Sequence, residues 1–146
     1  MSLSETAIPQ PKNFVLRITR EEWLRRVFRI KKYYPGVPRR WEKGSMVFFA
    51  RKSEVGDSLI GYGVIEEFVK KDGLSDKERL ECEIMNWKGA IVFKDIYMFE
   101  PPVPIKETPL ANLKARGKYL HSLQLTESQV AEIMEIVERI SSMKKV

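Results

Sequence analysis

A chain of 146 residues with 43% apolar and 32% charged residues is long enough for one buried core and too polar to lie within a bilayer. The formal net charge is +6, and the longest unbroken apolar run, Met46 to Ala50, falls far short of the roughly 20 residues that a spanning helix needs. Cys82 is the only cysteine and His121 the only histidine. That excludes an internal disulfide and any multi-Cys or multi-His metal site, so no metal or other cofactor is expected.

Residues 1–12 carry Pro9 and Pro11 without an apolar period. They are expected to be a flexible tail before a single domain over 13–146. No basic segment followed by an apolar stretch marks a secretory leader, and the single thiol suits a reducing, cytoplasmic setting. Phe14 to Ile18 predicts a strand. Thr19 and Glu22 have capping-box spacing, with Ile18 and Trp23 as its staple, so a helix is expected to follow and to end near Lys32. Trp23, Leu24, Val27 and Phe28 form its apolar face. Trp23 is read as packing.

The turn Pro35-Gly36-Val37-Pro38 comes next. Ser45 to Arg51 predicts a strand in which one of the successive Phe48 and Phe49 is buried and the other faces elsewhere. A turn over Lys52 to Asp57 leads to a strand from Ser58 to Val69, where Gly61 and Gly63 mark a bend. Lys70 to Lys77 reads as a polar loop. Arg79 to Trp87 alternates Leu80, Cys82 and Ile84 with charges, which predicts a strand with an inward thiol. Ala90 to Phe99 predicts another strand. Residues 103–124 read as irregular, with one helical turn at Pro109 to Leu113. A last helix over Glu127 to Met143 is capped by Thr126 and Gln129, with Leu125 and Val130 as staple. Its core face is Val130, Ile133, Met134, Val137 and Ile140.

The charge is concentrated. Residues 12–52 hold thirteen Lys/Arg against three Asp/Glu, an excess larger than that of the whole chain. Tyr33, Tyr34 and Trp41 lie among these charges beside the Pro-Gly turn, and Trp87 lies beside another turn. A compact positive field with flat aromatic faces suits a polyanion whose bases stack. Arg39 and Arg40, in a loop beside aromatics, are the phosphate candidates. His121 reads as a loop or surface residue rather than a catalytic base.

Three stretches in series carry a family resemblance: Val37-Pro-Arg-Arg40, then Lys43-Gly44-Ser45-Met-Val-Phe-Phe49, then Ile60-Gly61-Tyr-Gly-Val-Ile-Glu66. With Glu21-Glu-Trp23, Leu80 to Ile84, Pro109 to Leu113 and Leu125 to Ile136, the chain resembles the EVE domains of the PUA-like superfamily, especially small archaeal members. Ser45 stands where that family has the Asp of its G-D turn, and Tyr34-Pro35 where it has a tryptophan. The G-x-K-x-x-E-x-R motif of the related ASCH branch is absent. The resemblance implies an α+β fold: a PUA-like β-pseudobarrel of five to six mainly antiparallel strands, flanked by an early and a C-terminal helix. It also implies a cleft that receives an unpaired or modified base.

The expected function is a non-enzymatic nucleic-acid-binding module, RNA favoured over DNA. The candidate binding set is Tyr34, Val37, Pro38, Arg39, Arg40, Trp41, Lys43, Arg51 and Trp87. No catalytic residue and no metal ligand is assigned. Two alternatives stay open. One is a nucleoside or acylated-base hydrolase, for which Lys94, Thr108 and Glu83 are the raw materials. The other is a protein-interaction module docking an acidic partner on the basic first helix. The apolar strands leave a homodimer open, and no membrane partner is expected.

Overall fold

The computed structural model describes residues 11–54, 56–112 and 120–146. The expected tail, apart from Pro11 and Lys12, lies outside the described residues. In chain order the elements are β1 (Asn13–Arg17), α1 (Glu21–Ile30), β2 (Lys32–Tyr33), β3 (Met46–Ser53), β4 (Gly56–Lys70), α2 (Asp76–Met85), β5 (Gly89–Pro104), β6 (Leu123–Leu125), α3 (Glu127–Ile140) and β7 (Ser142–Lys145). Short 3-10 turns occupy Lys71–Gly73, Ile105–Glu107 and Pro109–Asn112.

The strands form one sheet in the order β2-β5-β4-β3-β1-β6, and β7 also pairs with β5. All the pairs are antiparallel except β1 with β3, where Phe14 lies opposite Val47 and Leu16 opposite Phe49. β1 therefore runs between β3 and β6, joining the first and last thirds of the chain. The register slips at Leu59/Gly61 and again around Ile65, which bends the long β4–β5 pair. Gly61 permits the first bend: a Cβ there would lie 2.2 Å from the carbonyl oxygen of Tyr97.

The sheet is covered on both faces, so its strands are apolar in both directions. Val15 and Phe48 pack with Ile133 and Val137 of α3. Phe14, Leu16, Val47 and Phe49 pack on the other side with Val27 of α1. Phe48 and Phe49 are thus both fully buried, which corrects the expectation that only one would be. Each such side chain removed from water contributes about 1.5–3 kcal/mol to the core.

Helix ends follow local chemistry only in part. The Thr126–Gln129 box forms: the Gln129 N–H donates to Thr126 Oγ1 at 3.1 Å, and the Thr126 N–H donates to Gln129 Oε1 at 2.8 Å. The Thr19–Glu22 box does not. α1 begins at Glu21, so Arg20 takes the cap position without a side-chain bond, and Thr19 lies one residue too early. α1 stops at Ile30, before Lys32, because Lys31 turns left-handed (φ 56°) and closes the last turn with its N–H. α3 stops at Ile140, before Met143, as the chain turns into β7. Ile140 is left exposed rather than in the core.

The largest departure is α2. Its residues were expected to be a loop and a strand, but Ser75 caps a helix by accepting the Glu78 N–H. Only Cys82 of the alternating apolar set is buried. Leu80 and Ile84 face outward at 58% and 73% exposure. The strand after it runs on to Pro104, into the region expected to be irregular, and a helical turn follows at Pro109–Asn112.

Candidate functional site

The segment between β1 and α1, Ile18 to Arg20, borders a cleft in two parts. One cavity of about 270 Å³ is lined by Arg17, Thr19, Trp23, Tyr33 and His121. A second, of about 280 Å³, is lined by Arg17, Ile18, Thr19, Arg51 and Lys52. Arg17 and Thr19 belong to both, so the two halves adjoin. The first has aromatic walls and the second cationic ones.

Backbone pairing puts these groups together. β1 lies beside β3, which brings Arg51 next to Arg17, and beside β6, which brings the His121–Ser122 turn. The Arg17 backbone N–H donates to His121 Nδ1 at 3.1 Å. Its guanidinium pairs with Asp57 at 3.2 Å. Ser122 sits in the left-handed region (φ 64°), and its carbonyl accepts from Arg39 Nε at 3.4 Å, which holds Arg39 at the rim. Burial lowers the His121 pKa, and the charges of Arg17 and Arg39 push the same way, so the imidazole is kept neutral. Arg51 pairs with Glu21 at the start of α1. Lys52 is exposed and has no ion pair among the described residues.

The residues expected to bind nucleic acid fall into three groups. Arg39 and Arg51 border the cleft. Val37 is half-buried, and Pro38, Arg40 and Lys43 are exposed on the loop before β3. Arg40 pairs with Glu42 at 3.2 Å, and none of these four lines either cavity. Tyr34, Trp41 and Trp87 face inward and are corrected here as exposed stacking surfaces. Trp41 is 5% exposed and packs against Phe14, ring centroids 4.9 Å apart. Tyr34 and Trp87 stack on each other at 5.2 Å, with the Arg26 guanidinium over both rings and Trp23 edge-on to Trp87. The void between them is about 10 Å³, too small for a base.

This inner stack docks α2. Arg26 pairs with Glu81 at 2.7 Å, and the Tyr34 hydroxyl donates to Glu78 at 2.8 Å. Burial pushes the Glu78 carboxyl up, but hydrogen bonds from Tyr34, Lys32 and Ser75 outweigh it and hold the group at about 2, against an ordinary 4.5. The folded pKa is the lower one. Its stabilisation is therefore complete above the unfolded value and is lost as pH falls from about 4.5 toward 2. Acid titration should loosen α2 in that window, read as a change in tryptophan fluorescence from Trp87. Glu78→Gln should remove that step.

Six cleft residues, Arg17, Ile18, Thr19, Trp23, Lys52 and His121, were not read as binding residues from the sequence. Thr19 and Trp23 have cap and staple spacing, His121 has no partner in its own segment, and Lys52 begins a predicted turn. Tyr33 did stand out as an aromatic among basic residues. The hydrolase set is not brought to the cleft. Thr108 is buried with its hydroxyl donating to the Ile105 carbonyl at 2.7 Å, and Glu83 and Lys94 are exposed on α2 and β5. Among the described residues no group of three or more His, Cys, Asp or Glu could hold a metal ion, and no helix is long and apolar enough to cross a membrane.

No protein-family model and no curated relative matches the sequence. Solved structures do match. The ASCH domain of Zymomonas mobilis is similar with a TM-score of 0.62 at 15% identity, over 90% of this chain and 96% of that one. A Ser→Ala mutant of the same protein gives 0.62 at 16% identity over 92% and 100%. A Tyr→Phe mutant gives 0.59 at 14% over 90% and 100%. ASCH domains belong to the PUA-like superfamily. The fold is PUA-like. The PUA-like fold class thus agrees with what the sequence resemblance implied. The similar structures are ASCH domains, although the sequence lacks that branch's motif; the EVE likeness rests on sequence motifs alone.

Proposed function

We propose that this chain is a non-enzymatic RNA-binding module that receives one unpaired base in the aromatic half of its cleft and the adjoining phosphate in the cationic half. The observation that carries this reading is the junction of the two cavities through Arg17 and Thr19. A base needs a flat apolar wall, which Trp23 and Tyr33 offer. Its phosphate needs cations within one nucleotide's reach, which Arg51 and Lys52 offer. Arg39 at the rim, and Arg40 and Lys43 on the loop beyond, would follow the backbone of the same strand. The PUA-like fold supports the reading, because RNA-binding domains use it. Unpaired RNA is favoured because its bases need not be pulled from a duplex, which costs a few kcal/mol.

Binding of fluorescent single-stranded RNA, duplex RNA and DNA across a salt series tests this. Single-stranded RNA should bind best, and affinity should fall steeply with salt. Arg39→Ala with Lys52→Ala should flatten the logarithmic slope by about one to two, since each single-strand phosphate contact contributes roughly 0.7. An unchanged slope would remove both residues from the phosphate path, and absence of binding at low salt would end the reading.

A further inference from the structure

The hydrogen-bonding groups of the aromatic cavity are unbalanced. Arg17 and Trp23 can only donate, through guanidinium and indole N–H groups. His121 becomes a donor by position: its Nδ1 already accepts the Arg17 backbone N–H, so the single proton of the neutral ring sits on Nε2. Tyr33 and Thr19 carry hydroxyls that can donate as well. No carboxylate and no amide side chain lines this cavity. Asp57 pairs with the Arg17 guanidinium at 3.2 Å.

Two of these groups await a partner. The Tyr33 hydroxyl has no protein hydrogen-bond partner among the described residues, and it is not one of the fully buried unpaired atoms, so it opens to the cavity. Burial alone raises its pKa, so it remains a protonated phenol. His121 Nε2 is likewise without a partner among the described residues. The two rings stand 6.3 Å apart, centroid to centroid, on the wall of one cavity. Both groups are therefore free to bond a molecule that enters the cavity.

We propose that the cavity selects a base whose edge presents carbonyl oxygens, uracil above all, and rejects one that presents an exocyclic amine at the same place. This rests on the reading of the cleft as a base site. Uracil and cytosine have the same ring and similar stacking faces. They differ where uracil has a carbonyl oxygen and cytosine an amino group, with a matching reversal at the neighbouring ring nitrogen. Carbonyl oxygens would be met by the Tyr33 hydroxyl and the His121 Nε2–H. Set against the His121 Nε2–H, which can only donate, the cytosine amine would meet like with like and lose the hydrogen bond that the uracil carbonyl makes there.

Ten-nucleotide oligo(U) and oligo(C) at pH 8 separate the outcomes. Oligo(U) should bind at least about tenfold more tightly, the ratio expected from one unpaired buried donor. His121→Phe should bring the ratio below about threefold, and Tyr33→Phe should weaken oligo(U) binding, both leaving the salt slope unchanged, since neither removes a charge. Should His121→Phe prevent folding, His121→Gln, whose amide accepts as well as donates, decides the matter by bringing the ratio below about threefold. Equal binding of the two oligomers by the natural protein, a preference for oligo(C), or a uracil preference that survives loss of the His121 donor would overturn the selection and leave RNA binding standing. Failure to bind either oligomer at low salt would overturn both.

Discussion

Trp41→Ala should cost about 3–5 kcal/mol of folding stability, read as a lowered urea midpoint with an unchanged slope. The indole is enclosed by the sheet face that also buries Phe14, Leu16 and Val47, and its ring lies 4.9 Å from that of Phe14. Removing it opens a cavity that a β-sheet held on both sides cannot collapse to fill. Its Nε1–H is buried and has no partner among the described residues, so the substitution breaks no hydrogen bond there. RNA affinity of the folded fraction should stay within about threefold of the natural protein, because no face of this ring reaches the cleft. A variant that folded with normal stability and lost RNA would return Trp41 to the role its sequence surroundings suggest.

Trp23→Leu is expected to act the other way, on binding far more than on folding. Trp23 packs partly against both inner clusters near α1 and also walls the aromatic cavity. Leucine keeps much of the apolar contact and removes the flat face. Loss of one base–aromatic stack is worth about 1–3 kcal/mol, or roughly 5- to 150-fold in Kd by fluorescence anisotropy. The salt slope should not move, since no cation is lost. If affinity is unchanged, the base does not lie on Trp23, and the aromatic half of the cleft loses its assigned use.

The contrast between these two tryptophans marks where sequence reasoning reached its limit. Both sit in basic surroundings, and composition cannot tell which faces a strand neighbour and which faces a gap. Burial depends on pairings such as Phe14 with Val47, which no local pattern announces. The central strands were legible because β3 and β4 carry apolar runs and bend glycines that hold whatever surrounds them. The α3 cap was legible because its two bonds lie within four residues. α2 was misread although its start was visible: Ser75 and Glu78 have the same spacing as the other capping pairs. The alternation of Leu80, Cys82 and Ile84 outweighed it, and two of those three residues turned out to lie on the surface. The cleft was the least legible part. Its residues come from five separate stretches of chain, and each has an ordinary local explanation.

The place of β1 in the sheet has a consequence for how this protein comes to exist in time. Its left neighbour is β3 and its right neighbour is β6, more than a hundred positions downstream. During synthesis the β3–β4–β5 meander can form as soon as its own residues emerge. The cleft cannot, because His121 and the strand that anchors it are made late. A nascent chain is therefore expected to pass through a stage with much of its sheet and no cleft. Non-local closure of this kind also belongs to the slower range of domain folding, milliseconds to seconds rather than microseconds. Ligand capture would begin only once the ends of the domain had met.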